Sequence, residues 1–190
     1  MIVIPQNLPN QVAPLTWLLG TWIGWGTKSS PEGNKLVTFQ FDAQVVGERV
    51  RTVLKIYDTD SIVELDAHIG ALEGEHALGR SRLASEETAY WHVLDDAGQK
   101  YLQVTSTCTE GVSGLWVGKV QGPRIRLLLD TAARHEGAPA VSKGERMLGL
   151  VNSDIFFTRS YSVEDGELVT SGRVARVADP EPIETFERQK

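Results

Sequence analysis

The chain has 190 residues, 41% hydrophobic and 23% charged, which suits one ordinary globular domain with a sizeable core. A formal charge of -6 and a pI near 5.3 exclude the concentrated basic face that a nucleic acid or an anionic membrane demands. A lone cysteine, Cys108, excludes an internal disulfide framework, and no apolar run approaches the roughly 20 residues of a membrane span.

The start, "MIVIPQNLPNQ", lacks the charged n-region and apolar core of a signal peptide, so a cytoplasmic protein is expected. "PLTWLLG" then reads as a short helical turn stopped by Gly20 and capping one end of the fold. "GTWIGWG" (20–26) follows as a strand, with Gly20, Gly24 and Gly26 allowing bends and close strand approach and Trp22 on their face as a plug. Further runs of β-branched and aromatic residues are "KLVTFQF" (35–41), "QVVGERVRTVLKIY" (44–57), "TAYWHVL" (88–94), "KYLQVTS" (100–106) and "VSGLWVGKV" (112–120). "RIRLLLD" (124–130), "ERMLGLV" (145–151), "DIFFTRSYS" (154–162) and "LVTSGRVARV" (168–177) complete the series. "DDAG", "QGP", "VNSD" and "EDG" between them supply the residues that tight hairpins require.

About ten strands joined by short turns predict an up-and-down meander, and a sheet that long closes to remove its edges. The expected fold is all-β, a single closed antiparallel barrel over 1–177. One stretch breaks the rhythm: 58–87, mixed in charge, carries Ile62, Leu65, Ile69 and Leu72 at near-helical spacing and reads as a partly helical flap over a barrel end. The tail 178–190, punctuated by proline and charge, reads as an exposed extension.

No Gly-x-Ser-x-Gly and no phosphate loop occurs, and the single thiol has no histidine beside it in sequence. Glu86-Glu87 and Asp95-Asp96 flank predicted turns and read as a solvated rim. His68, His76, His92 and His135 share no zinc-like spacing, so no metal site is expected. Arg49, Arg51 and Arg173 are the candidate partners for the carboxylate of a small amphipathic ligand, against a plainer reading as outer-face arginines in water.

"APLTWLLGTWIGWG" resembles the opening of the nitrobindin-like proteins, compact β-barrels similar in shape to fatty-acid-binding proteins and lipocalins, whose first strand begins Gly-x-Trp-x-Gly-x-Gly. Gly20, Trp22, Gly24 and Gly26 match that motif, and "SEETAYWHV", "TSTCTEGVSGLWVGKVQG", "ERMLGLVNSDIFF" and, more loosely, "LVTSGRVARV" continue the likeness. The resemblance implies a ferric haem at the barrel mouth held by one histidine of the last strand, with nitric-oxide binding or peroxynitrite isomerisation as the activity. Counting back from Arg176-Val177 puts Val169 at the ligand position, or Thr170 if the register slips by one, and neither ligates haem iron. "TKSSPEGNKLVTF" also departs from the family's haem-contacting segment after the opening motif, and "VVGER" stands where the family has a histidine before Gly-Lys/Arg-Pro in the next strand.

The resemblance therefore leads to a haem-free, non-enzymatic barrel with no cofactor, binding a small apolar or amphipathic molecule. The alternative is a haem-dependent peroxynitrite isomerase using a substitute ligand. Among substitutes, His92 in "YWHVL" is the least unfavourable, opposite in face to Trp91. Cys108 reads as a small strand or turn residue, Met147 as core packing and Tyr161 as a hydroxyl at a barrel rim.

Overall fold

A computed structural model describes residues 7–61, 63, 65–66, 68–96 and 98–183. Alternating apolar and polar residues give ten strands: β1 (Gly20–Ser30), β2 (Gly33–Val46), β3 (Arg49–Asp58), β4 (Leu83–Asp96) and β5 (Gln99–Cys108), then β6 (Val112–Val120), β7 (Arg124–Arg134), β8 (Lys143–Val151), β9 (Asp154–Val163) and β10 (Gly166–Ala178). Each pairs antiparallel with its chain neighbours, and β10 pairs with β1, so the sheet closes without an edge. The run 44–57 is a hairpin rather than one strand: Gly47, at φ +59°, takes the left-handed turn between β2 and β3.

Closure depends on the glycines of β1. A Cβ on Gly24 would stand 2.0 Å from the Arg173 carbonyl oxygen, and one on Gly26 would stand 2.0 Å from that of Ser171. Only glycine lets the first and last strands approach so closely.

The bore has two halves of different chemistry. At one end a 3-10 helix, Ala13–Leu18, buries Leu15, Trp17 and Leu18 against the inward side chains of the barrel. Trp22 is 1% exposed there, and its Nε1 donates to the Leu18 carbonyl at 2.8 Å, tying barrel wall to cap. Val50, Trp91, Leu102, Ile125, Ile155 and Val174 fill the rest of this apolar half. The plug expected of Trp22 is present.

The segment 58–87 departs from expectation. Helix α1 (Ala71–Leu78) presents Ala71, Gly74 and Leu78 to the outer wall over β1, and covers neither barrel end. Trp25 points outward beneath it and donates from Nε1 to the Gly70 carbonyl at 3.1 Å. A Cβ on Gly74 would lie 2.1 Å from that indole nitrogen, so smallness rather than apolar spacing chose the helix face. Leu72 is 44% exposed, and Ile62 lies outside the described residues. Of the tail, Asp179, Glu181 and Pro182 are exposed, and 184–190 lie outside the described residues. No helix among the described residues is long and apolar enough to cross a membrane.

Candidate functional site

The other half of the bore is polar. Counting by twos from the buried Trp91, β4 points Ala89, Glu87 and Ser85 inward; β8 points Leu148 and Arg146 inward, and β9 points Phe157, Arg159 and Tyr161 inward. Glu87, Arg146 and Arg159 are 6%, 5% and 7% exposed. The carboxylate of Glu87 spans the bore from β4 to β8, where Arg146 Nη1 and Nη2 donate to Oε1 and Oε2 at 2.7 and 2.6 Å. This is the bidentate fork that guanidinium and carboxylate geometry favour.

Arg146 has the most partners, although its buried Nε, like that of Arg159, has no hydrogen-bond partner among the described residues. Its Nη2 also donates to the Tyr161 hydroxyl at 2.7 Å, and its guanidinium lies 3.8 Å from the Trp116 ring centroid. Trp116 in turn donates from Nε1 to Ser106 Oγ at 3.1 Å. Burial alone would push the Glu87 acid up, but the Arg146 and Arg159 guanidiniums outweigh it and hold the carboxyl below its ordinary 4.5. Burial pushes the Tyr161 phenol above its ordinary 10.0.

Arg159 is partnered far less. It stands directly opposite Arg146 in the β8–β9 register and opposite Thr170 in the β9–β10 register. Its ion pair is a long one, Nη1 to Glu87 Oε2 at 3.6 Å, and its buried Nε has no hydrogen-bond partner among the described residues. Beside the cluster lies a cavity of about 40 Å³ whose polar lining includes Thr52, Glu87, Arg146 and Arg159. Nearer the mouth, Lys28 reaches from β1 to Glu110 in the β5–β6 turn, Nζ to Oε1 at 2.7 Å.

The structure separates most of the residues singled out in the sequence. Gly20, Trp22, Gly24 and Gly26 lie together where β1 meets β10. Thr170 points into the bore and is 5% exposed, whereas Val169 faces the outer wall opposite Ser29 and Ser160. Arg49 and Arg51 stand on the outside of β3, Arg51 donating to Gln44 Oε1 at 3.0 Å. Arg173 is likewise outside, 5.6 Å over the Trp25 ring, beside an open groove of about 1050 Å³ where Val117, Leu128, Met147 and Phe156 are exposed. These arginines therefore do not converge on the interior.

His92 faces outward opposite Gln103, and His68, His76 and His135 are exposed. Cys108 points inward opposite Glu87, and its thiol donates to the Val112 carbonyl at 3.4 Å.

Three expectations are corrected. Met147 is not core: it is 49% exposed, because alternation turns its neighbour Leu148 inward. Tyr161 lies inside the bore rather than at the rim. Glu87 is the central buried acid rather than part of a solvated rim, because Arg146, 59 residues on, supplies its partner.

Comparison with known proteins agrees with this architecture. The sequence model of the THAP4-like, heme-binding beta-barrel domain matches residues 11–176. The chain is 28% identical to a protein named ferric nitrobindin-like protein of Streptomyces coelicolor, over 98% of this chain and 91% of that one. It is 31% identical to a protein named peroxynitrite isomerase of Clavibacter michiganensis subsp. michiganensis, over 93% of this chain and all of that one. The crystal structure of Rv2717c from M. tuberculosis superposes with a TM-score of 0.69 at 16% identity, covering 90% of this chain and 99% of that one, which speaks for the barrel fold. Matched along most of its length, the chain belongs to the THAP4-like, haem-binding β-barrel family.

Proposed function

We propose that this chain is a haem-independent member of its family, a small-ligand-binding barrel and not a haem-dependent peroxynitrite isomerase. The observation that carries the reading is the Glu87–Arg146 bridge, which crosses the half of the bore that the last-strand position Thr170 faces. Three features support it. A threonine hydroxyl at that position offers iron no strong donor. The remaining inward donors are committed elsewhere: the Cys108 thiol to Val112, and the Tyr161 hydroxyl, held protonated by burial, to Arg146. The cavity of about 40 Å³ is also far below the roughly 300–1,000 Å³ of ordinary cofactor pockets.

The same volume argues against an acyl chain inside the barrel. The cavity walls are mostly apolar, with Thr52, Glu87, Arg146 and Arg159 among them, so the ligand that suits it is a molecule of only a few heavy atoms. Where a relative is named for peroxynitrite isomerisation, the chemistry its family's haem supplies is redox and Lewis-acid chemistry at iron, and none of the described residues is arranged to hold that iron.

Histidine insertions test the reading. Val169→His places imidazole on the outer wall, so its haem titration is expected to match that of the parent protein. Thr170→His brings imidazole into the bore, yet the ion bridge still fills the space, and no stoichiometric Soret band is expected. Combining Thr170→His with Glu87→Leu, Arg146→Leu and Arg159→Leu removes the whole buried charge cluster and should recover one, since apolar residues of similar volume can replace paired buried ions without leaving an orphaned charge. A Soret band from Thr170→His alone would show that the bridge is no obstacle to haem.

A further inference from the structure

We propose that the polar half of the bore is a binding site for a small monovalent anion of halide or formate size, held by Arg159 beside the Glu87–Arg146 bridge. The inference rests on the haem-independent reading, since both concern the same half of the barrel.

Charge is the first argument. Two buried guanidiniums face one buried carboxylate, so the three groups carry a net charge of +1 in a place where water cannot screen it. The Glu87 carboxylate spends both oxygens on the Arg146 fork. Arg159 is left with a 3.6 Å contact and a buried, unpartnered Nε, and its cross-strand neighbour on β8 is the like-charged Arg146. The next cation toward the mouth, Lys28, is already paired with Glu110. One further negative charge would complete the cluster.

Hydrogen bonding is the second. Thr52 is 4% exposed and lines the same cavity, and its Oγ1 accepts from Trp91 Nε1 at 2.8 Å, so its own proton is free to be donated. Guanidinium and hydroxyl donors thus outnumber the acceptors left to receive them. Size is the third: about 40 Å³ admits an ion of one to a few heavy atoms. The surrounding walls of Phe41, Leu54, Ile155 and Val174 are apolar, so a bound anion would sit in a low dielectric, where its attraction to Arg159 is strong.

Two measurements on the intact chain test this. Bromide is the probe, titrated at constant ionic strength against gluconate, which is too bulky for the cavity. Wild-type protein should melt at a temperature that rises with bromide and saturates, because a ligand that binds only the folded state stabilises it by mass action. Arg159→Met should weaken the half-saturating concentration by about tenfold or more, the usual loss for a charge-assisted hydrogen bond. A bromide-soaked wild-type crystal should show an anomalous peak between Arg159 and Thr52, which keeps the test valid if Arg159→Met does not fold. A wild-type melting response equal to that in gluconate, or a soaked crystal with no peak in the bore, would overturn the proposal. A Soret band in the parent protein would instead sink the haem-independent reading, so the two failures are distinguishable.

Discussion

Glu87→Gln is expected to destabilise the fold by about 3–5 kcal/mol, because it leaves Arg146 and Arg159 buried without a counter-charge. The amide can still accept one hydrogen bond from Arg146, so the loss measures charge more than geometry. The effect has a pH signature. The folded Glu87 carboxyl titrates below its ordinary 4.5, so its stabilisation is fully present above that value and disappears as pH falls toward the folded value. Wild-type protein should therefore lose more stability than Glu87→Gln between pH 5 and the acid limit of denaturant titrations, and the two curves should converge. A gap that stays constant with pH would mean that the carboxylate charge is not what matters. The double substitution Glu87→Leu with Arg146→Leu should cost much less than the sum of the single ones, since a pair removed together leaves one fewer orphaned ion.

Trp22→Ala is expected to cost about 3–5 kcal/mol, the usual range for truncating a buried large aromatic side chain. The indole is 1% exposed, its Nε1 donates to the Leu18 carbonyl, and the Arg176 guanidinium lies 4.5 Å from its ring centroid. Trp22→Phe separates the contributions: it keeps most of the packing but leaves the Leu18 carbonyl without its donor, at about 1–3 kcal/mol. If the alanine variant loses under about 1 kcal/mol by chemical denaturation, the cap does not depend on this residue.

The barrel was legible because its signals are local. Period-two runs and Gly, Pro, Asn and Asp turns mark each strand, and the one merged run, 44–57, hid a hairpin because its turn, Gly47-Glu48, carries no Pro, Asn or Asp beside the glycine. The charged cluster was legible only in part. Alternation from Trp91 places Glu87 on the inner face, and alternation from Leu148 and Phe157 does the same for Arg146 and Arg159. What sequence withholds is the partner: Glu87 and Arg146 meet only because closure brings β4 and β8 across one bore. A lone carboxylate beside a turn reads as solvated until that partner is known.

The helix over Trp25 illustrates the opposite failure. Its packing face is Ala71, Gly74 and Leu78, and with glycine at the centre Leu78 is the one large apolar residue of that face to read. The Gly20–Gly26 run marks the β1–β10 seam, where glycines permit close approach, and the charged cluster lies on other strands. Those glycines therefore speak for the fold and not for a cofactor.

The haem-independent reading is tested most directly by titrating the purified wild-type chain with ferric haem and following the Soret region. The expected result is the spectrum of free haem throughout, with no saturation at one haem per chain and no change in melting temperature. A Soret band that saturates at one haem per chain, and that is lost in Tyr161→Phe or Cys108→Ser, would contradict the reading and name the residue that holds the iron.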